Sequence, residues 1–184
     1  MCIETVVYRI IGSRSSSLAP AEGDGTSANP YKISSIDDLN LIQANQGAYY
    51  RLTKNISTDG RTNFSASYFS GTLDGAGFTI TGLQKPLIQK NAGTIKDLNI
   101  GADFDYDSHD IHGVVAQYNT GKIQDCRVTG TVTGHMGSTS SMSHPAFGGI
   151  VGENEVAGTI SGCSSGVNIS NPCLLYTSPS PRDP

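Results

Sequence analysis

Four aspartates, Asp103, Asp105, Asp107 and Asp110, form the densest group of chemically capable side chains in this 184-residue chain. Residues two apart on a strand share a face, so three of these carboxylates line up if the segment is extended. Hard oxygen ligands grouped in that way suit Ca²⁺, and the quartet is the candidate metal site. The glycine and distal glutamate of an EF-hand loop are missing from it. The plainer alternative is a solvated strand edge whose charges resist pairing with another edge.

The other candidates are weaker. His109, His112, His135 and His144 fall within one stretch, but a transition-metal site needs three or four converging ligands, and His-Glu-x-x-His is absent. They read as polar loop histidines. Cys126 and Cys163, the two cysteines remote from the chain ends, suit small buried core positions better than a reactive pair. Asp97 and Asp125 occupy matching places in a repeat, where stacked carboxylates would repel unless a cation bridged them; they read as exposed turn residues. Ser, His and Asp are all available, but there is no Gly-x-Ser-x-Gly elbow. Tyr31, Tyr49, Tyr50, Tyr68, Tyr106 and Tyr118 offer stacking surfaces for sugars or proteins, although scattered tyrosines more often pack half-buried. No catalytic residue is assigned, no cofactor beyond the candidate Ca²⁺ is expected, and the chain is not expected to be an enzyme.

The elements that would carry these residues are short strands. Glycine is abundant at 22 residues, tryptophan is absent, and charged residues make up 15%. Short apolar runs separated by Gly, Ser, Thr and Asn point to an all-β protein rich in turns. The net charge is −4, with 12 basic residues and no basic cluster, which argues against nucleic acid as a partner. No apolar run is long enough to cross a bilayer, so no membrane insertion is expected.

The two ends are set aside from fold reasoning. Cys173 to Asp183 resembles a translated sequencing adapter: the transposon end TGT CTC TTA TAC ACA TCT encodes Cys-Leu-Leu-Tyr-Thr-Ser, and its continuation encodes Pro-Ser-Pro-Arg-Asp. Met1 to Thr5 resembles the same transposon end with one base lost. The expected organisation is a tag remnant and linker over 1–28, a lead-in or cap over 29–68, repeats over 69–172 and an artefactual tail over 173–184. Both natural termini are expected to be missing.

Within the lead-in, Ser34 to Ile42 reads as a short helix, with a serine N-cap, Asp37 and Asp38 at the positive end of its dipole, and Ile36, Leu39 and Ile42 at helical spacing. Tyr49 to Thr53 reads as a strand. Three similar units follow, Leu87–Ile100, Val114–Val128 and Ile150–Cys163. Each runs apolar pair, Asn, Gly, Ile, then a small or apolar residue. Ile95 and Ile123 are 28 residues apart, and Ile123 and Ile160 are 37 apart; the longer gap holds an insert from Gly134 to Ala146. One unit cannot bury a face alone, but stacked units bury a continuous core. Stacking would place Asn91, Asn119 and Asn154 at one turn, where their amides can hydrogen-bond between units. Gly93, Gly121 and Gly158 would supply permissive backbone beside them, and Leu98, Cys126 and Cys163 would stack inside. The expected fold is all-β, a right-handed parallel β-helix (solenoid) with a short N-terminal helix. Its cut C-terminal end would expose an unpaired strand edge, so aggregation of the isolated fragment is expected.

At these units the chain resembles the GLUG-motif repeats of bacterial surface and secreted proteins. The nearest match is Gly148-Gly149-Ile150-Val151-Gly152-Glu153-Asn154 followed by Gly158-Thr159-Ile160-Ser161-Gly162-Cys163. Asn29 to Ile33, Tyr50 to Ile56 and Gly71 to Gly75 resemble the lead-in found before such repeats. Lys85 to Lys90 departs from the pattern where small residues are usual. The resemblance implies a parallel β-helix on a cell surface or in a secreted protein, acting as a structural or adhesive segment that binds host or environmental glycans or proteins. Two other roles stay open: part of a polysaccharide lyase or hydrolase, or the non-catalytic stalk of a secreted metalloprotease.

Overall fold

The computed structural model describes residues 22–58, 64–106, 111–134 and 147–170. Strand β1 (Tyr31–Ile33) is followed by two single-turn helices, α1 (Ile36–Leu39) and α2 (Leu41–Ala44). Ser35 caps α1, its Oγ accepting from the Asp38 N–H at 3.1 Å. This satisfies one of the backbone donors that any helix start leaves unpaired. The Asp38 carboxylate reaches back to the Ser34 N–H at 2.8 Å and the Ser34 hydroxyl at 3.0 Å. The helical segment read from the sequence is therefore present, divided into two turns at Asn40, and its Leu39 and Ile42 are fully buried.

Strands β2 (Tyr49–Leu52) and β3 (Ile56–Ser57) come next. Three longer passes of the chain follow. The first contains β4 (Ala66–Phe69), β5 (Thr72–Asp74) and β6 (Thr79–Leu83). The second contains β7 (Ile88–Asn91), β8 (Thr94–Lys96) and β9 (Asn99–Tyr106). A short β10 (His112–Gly113) leads into the third, with β11 (Ala116–Asn119), β12 (Lys122–Gln124) and β13 (Arg127–Gly134). A final pass repeats the scheme with β14 (Phe147–Gly148), β15 (Val151–Asn154), β16 (Thr159–Ser161) and β17 (Ser164–Ser170).

Strands pair by their place in the pass, not by adjacency in sequence. The sheets run β1-β2-β5-β8-β12-β16, β4-β7-β11-β15, β3-β6-β9-β13-β17 and β10-β14. Every pairing is parallel. The fold is thus all-β, built from parallel sheets. Lys85 and Pro86, which broke the repeat pattern, precede β7 and do not shift it: Ile88 lies level with Ala116, and Asn91 with Asn119.

In-register parallel pairing puts like over like. Tyr50, Leu73, Ile95, Ile123 and Ile160 form one column through the six-stranded sheet. Ile56, Ile80, Ile100 and Val128 form another through the five-stranded sheet. All of these except Ile160 belong to the buried core. Branched apolar side chains suit such columns because they fill a pleated surface with little loss of rotamer freedom.

The asparagine ladder forms as the repeat predicts. Asn91 Nδ2 donates to Asn119 Oδ1 at 2.7 Å, and Asn119 Nδ2 donates to Asn154 Oδ1 at 2.7 Å. Asn91 and Asn119 are fully buried, so each bond satisfies groups that would otherwise lose water without compensation. The ladder starts above Phe69, which occupies the Asn91 position one pass earlier.

The reason for the glycines differs from the expected one. A Cβ on Gly121 would lie 2.1 Å from the Gly93 carbonyl oxygen, and one on Gly93 would lie 2.2 Å from that of Gly71. Close approach of the neighbouring pass, rather than an unusual φ, excludes side chains there. In the turn after each column isoleucine, left-handed conformations fall instead on Asp97 (φ 50°) and Asp125 (φ 51°), with Gly162 (φ 64°) at the matching place.

Candidate functional site

Outward-facing residues obey the same register, so the surface is organised in columns. On the six-stranded sheet, Arg51, Asp74, Lys96, Gln124 and Ser161 are level. Arg51 Nη1 lies 3.3 Å and Lys96 Nζ 3.5 Å from Asp74 Oδ2. The other Asp74 oxygen accepts from the Ala76 N–H at 2.8 Å. Both carboxylate oxygens are therefore engaged, one by two cations and one by a turn. Sequence reasoning missed this group. Its signal was available once the isoleucine columns fixed the register, because Arg51, Asp74 and Lys96 each follow a column residue.

Asp103 and Asp105 lie on β9, exposed, and alternate with buried Ala102 and Phe104. They share a face, as the two-residue spacing predicts, and lie level with Thr131 and Thr133 of β13. Asp107 and Asp110 lie outside the described residues, as do His109, His135, His144 and most of the Gly134 to Ala146 insert. Among the described residues no three His, Cys, Asp or Glu side chains gather as metal ligands.

His112 departs from the loop reading. It belongs to β10, pairs with Phe147 of β14, and its ring stacks on that of Phe147 with centroids 5.7 Å apart. It is half-buried structural packing. Asp97 and Asp125 sit at the turn between two sheets, exposed and left-handed. Asp tolerates this conformation better than most residues, since its short polar side chain hydrogen-bonds locally. They are turn residues, as read from the repeat.

Cys126 is buried, and Cys163 one pass later is half-buried; both are free thiols. Cys163 Sγ accepts from the Cys126 N–H at 3.4 Å. Burial pushes the Cys126 thiol up to about 12. A thiol so disfavoured as thiolate is a poor nucleophile near neutrality, in keeping with a core position. Tyr50 behaves similarly. Its hydroxyl lies 2.7 Å from the Asn45 carbonyl and 3.0 Å from that of Leu41, and burial, then the neighbouring Tyr31, pushes it up to about 12.

The other tyrosines divide. Tyr31 packs beside Tyr50 with centroids 5.6 Å apart. Tyr49 and Tyr68 are each 39% exposed. Tyr68, Lys90, Tyr118 and Glu153 are level on the outer face of the four-stranded sheet. At the corner between the four- and six-stranded sheets runs an open groove of about 320 Å³, lined by Ser70, Thr72, Thr94, Thr120, Lys122 and the glycines that close-pack the passes. Its lining combines four hydroxyl residues with small residues and one lysine, and holds no carboxylate.

One curated protein resembles the chain across most of its length. Halomucin of Haloquadratum walsbyi is 30% identical over 171 residues, a match covering 79% of this chain and 2% of halomucin. No family model matches the chain, and no solved structure does. The GLUG-type resemblance therefore rests on its quoted residues, and the match to halomucin supports neither an adhesin nor a bacterial source. No helix among the described residues is long and apolar enough to cross a membrane.

Proposed function

We propose that this chain is a non-catalytic structural segment of an extracellular or cell-surface protein, coiled as a right-handed parallel β-helix. The observation that carries the reading is the parallel, in-register pairing of successive passes, shifted at Thr81/Leu83, with an asparagine ladder along one inner corner. Parallel strands of one sheet joined by a crossover are right-handed in about 98% of cases, which sets the expected hand of the coil. Three outward carboxylates serve the architecture: Asp74 joins three passes, while Asp97 and Asp125 form turns. The resemblance to halomucin, whose name likens it to the mucins, favours an extracellular setting. Adhesion to glycans or proteins is the finer reading, and it rests on the GLUG-like residues and the exposed tyrosine and hydroxyl columns.

The rival role is part of a carbohydrate-active enzyme. Incubating the chain with a panel of acidic and neutral polysaccharides separates the two. The proposal expects no new reducing ends and no unsaturated products, with or without Ca²⁺. Turnover of any member would overturn it.

A further inference from the structure

Two outward columns run side by side on the six-stranded sheet, and only one of them is neutralised internally. In the first, Arg51 and Lys96 hold Asp74. The second lies two residues earlier in each strand, where Tyr49, Thr72, Thr94, Lys122 and Thr159 are level, one per pass. Among the described residues the side chains of Thr72, Thr94 and Lys122 enter no hydrogen bond or ion pair, whereas Thr120 beside them donates its hydroxyl to the Asn91 carbonyl at 3.1 Å. This second column forms one wall of the open groove of about 320 Å³. Backbone packing keeps Gly71, Gly93 and Gly121 bare along its trough, so the groove follows the stack from pass to pass.

We propose that this groove and the column beside it bind an acidic polysaccharide, with Lys122 taking its carboxylate or sulfate and Tyr49 stacking on a sugar ring. The inference rests on the adhesive reading above, to which it gives a ligand class and a site. Level residues on neighbouring strands stand ~4.8 Å apart, so the column runs about 14 Å from Tyr49 to Lys122. That is the length of a short oligosaccharide, and it presents a row of contacts at a regular step, as a repeating polymer requires. Threonine and serine hydroxyls both donate and accept, which matches the hydroxyls of a sugar. Tyr49 is 39% exposed and offers a broad apolar ring face. Lys122 brings the groove's one charge, with no carboxylate in the lining to neutralise it, so an anionic ligand is favoured over a neutral one. A peptide fits less well, because glycine, alanine and hydroxyl residues leave no apolar pocket for its side chains.

Isothermal titration of the full chain with polygalacturonate, sulfated dextran, plain dextran and poly-glutamate tests this. Binding is expected to one or both acidic polysaccharides, the two separating carboxylate from sulfate, and to neither dextran nor poly-glutamate. Lys122→Gln is expected to weaken binding about three- to fivefold, and Tyr49→Ala to weaken it as well. Lys54→Gln, at an exposed lysine outside the groove, is expected to bind as the parent does. Both groove positions are exposed, and unchanged β circular dichroism checks that the fold survives; if Tyr49→Ala fails to fold, Lys122→Gln alone decides. Absence of binding to both acidic polysaccharides overturns the proposal, as does equal binding of plain dextran. Lys122→Gln binding as tightly as the parent, or Lys54→Gln losing as much, also overturns it. Binding of poly-glutamate alone would keep adhesion and overturn the polysaccharide as ligand. The titrated polymers are also assayed for new reducing ends and unsaturated products: no binding with no turnover overturns this inference alone, whereas turnover overturns the non-catalytic reading.

Discussion

The helical segment and the last described pass stand at opposite ends of the same inward columns and differ in how fully the described residues cover them. At the helical end Tyr50 is 1% exposed, and its hydroxyl meets two carbonyls of the helical segment. In the last described pass Ile160, four passes along the same inward column, is 38% exposed. Position in the repeat decides which way a side chain points. Position along the stack decides whether pointing inward means burial. A repeat protein therefore has interior passes that are stable through both neighbours and terminal passes that depend on a cap or a partner.

The comparison breaks most visibly by cutting the same side chain in two passes. Ile123→Ala, between two packed passes, is expected to cost about 2–5 kcal/mol. Ile160→Ala, at a position 38% exposed, is expected to cost under about 1 kcal/mol. Urea unfolding of both variants checks this, and equal losses would mean the last pass is as well covered as the third.

The ladder gives a similar contrast. Asn119→Leu strands the amides of Asn91 and Asn154 and is expected to cost about 1–3 kcal/mol. Asn154→Leu should cost less, because Asn154 is exposed and leaves only one ladder amide unpaired. Gly121→Ala is expected to destabilise by about 1–3 kcal/mol through its clash with the Gly93 carbonyl; a neutral result in thermal unfolding would show that the passes can move apart.

Alkaline pH should weaken both a helical-end residue and a core residue. Tyr50 and Cys126 are each pushed up to about 12. Below their unfolded values both states hold the proton. Above those values the unfolded chain releases it first, so stability falls as pH rises from about 9 towards 12. Tyr50→Phe is expected to flatten part of that fall, and an unchanged pH profile would remove Tyr50 as its source. The smallest effect sharpens the helical end alone. Ser35→Ala removes the cap on α1 and is expected to cost about 1 kcal/mol, measurable as a lowered melting temperature.

Much of the stacking was legible in advance, for a plain reason. In a parallel in-register stack each residue's neighbours are its own repeat equivalents. Aligning Asn91, Asn119 and Asn154 therefore amounts to predicting contacts. The helix cap was equally readable, because its determinants lie within four residues of one another. What the alignment could not supply was geometry between passes. Asp74 is held by Arg51 and Lys96 because they are level in space, and His112 is packed rather than solvated because Phe147 arrives beside it from a later pass. The Ca²⁺ reading is half placed: Asp103 and Asp105 share an outward face, while Asp107 and Asp110 lie outside the described residues.

The sequence by itself determined the repeat, its inward positions, the asparagine ladder and the capped helical segment, since each depends on side-chain type at fixed spacing. Only the tertiary structure decided why the glycines are glycines and which carboxylates are neutralised. Those depend on distances between backbones far apart in the chain, and the spacing of residues along it does not encode them.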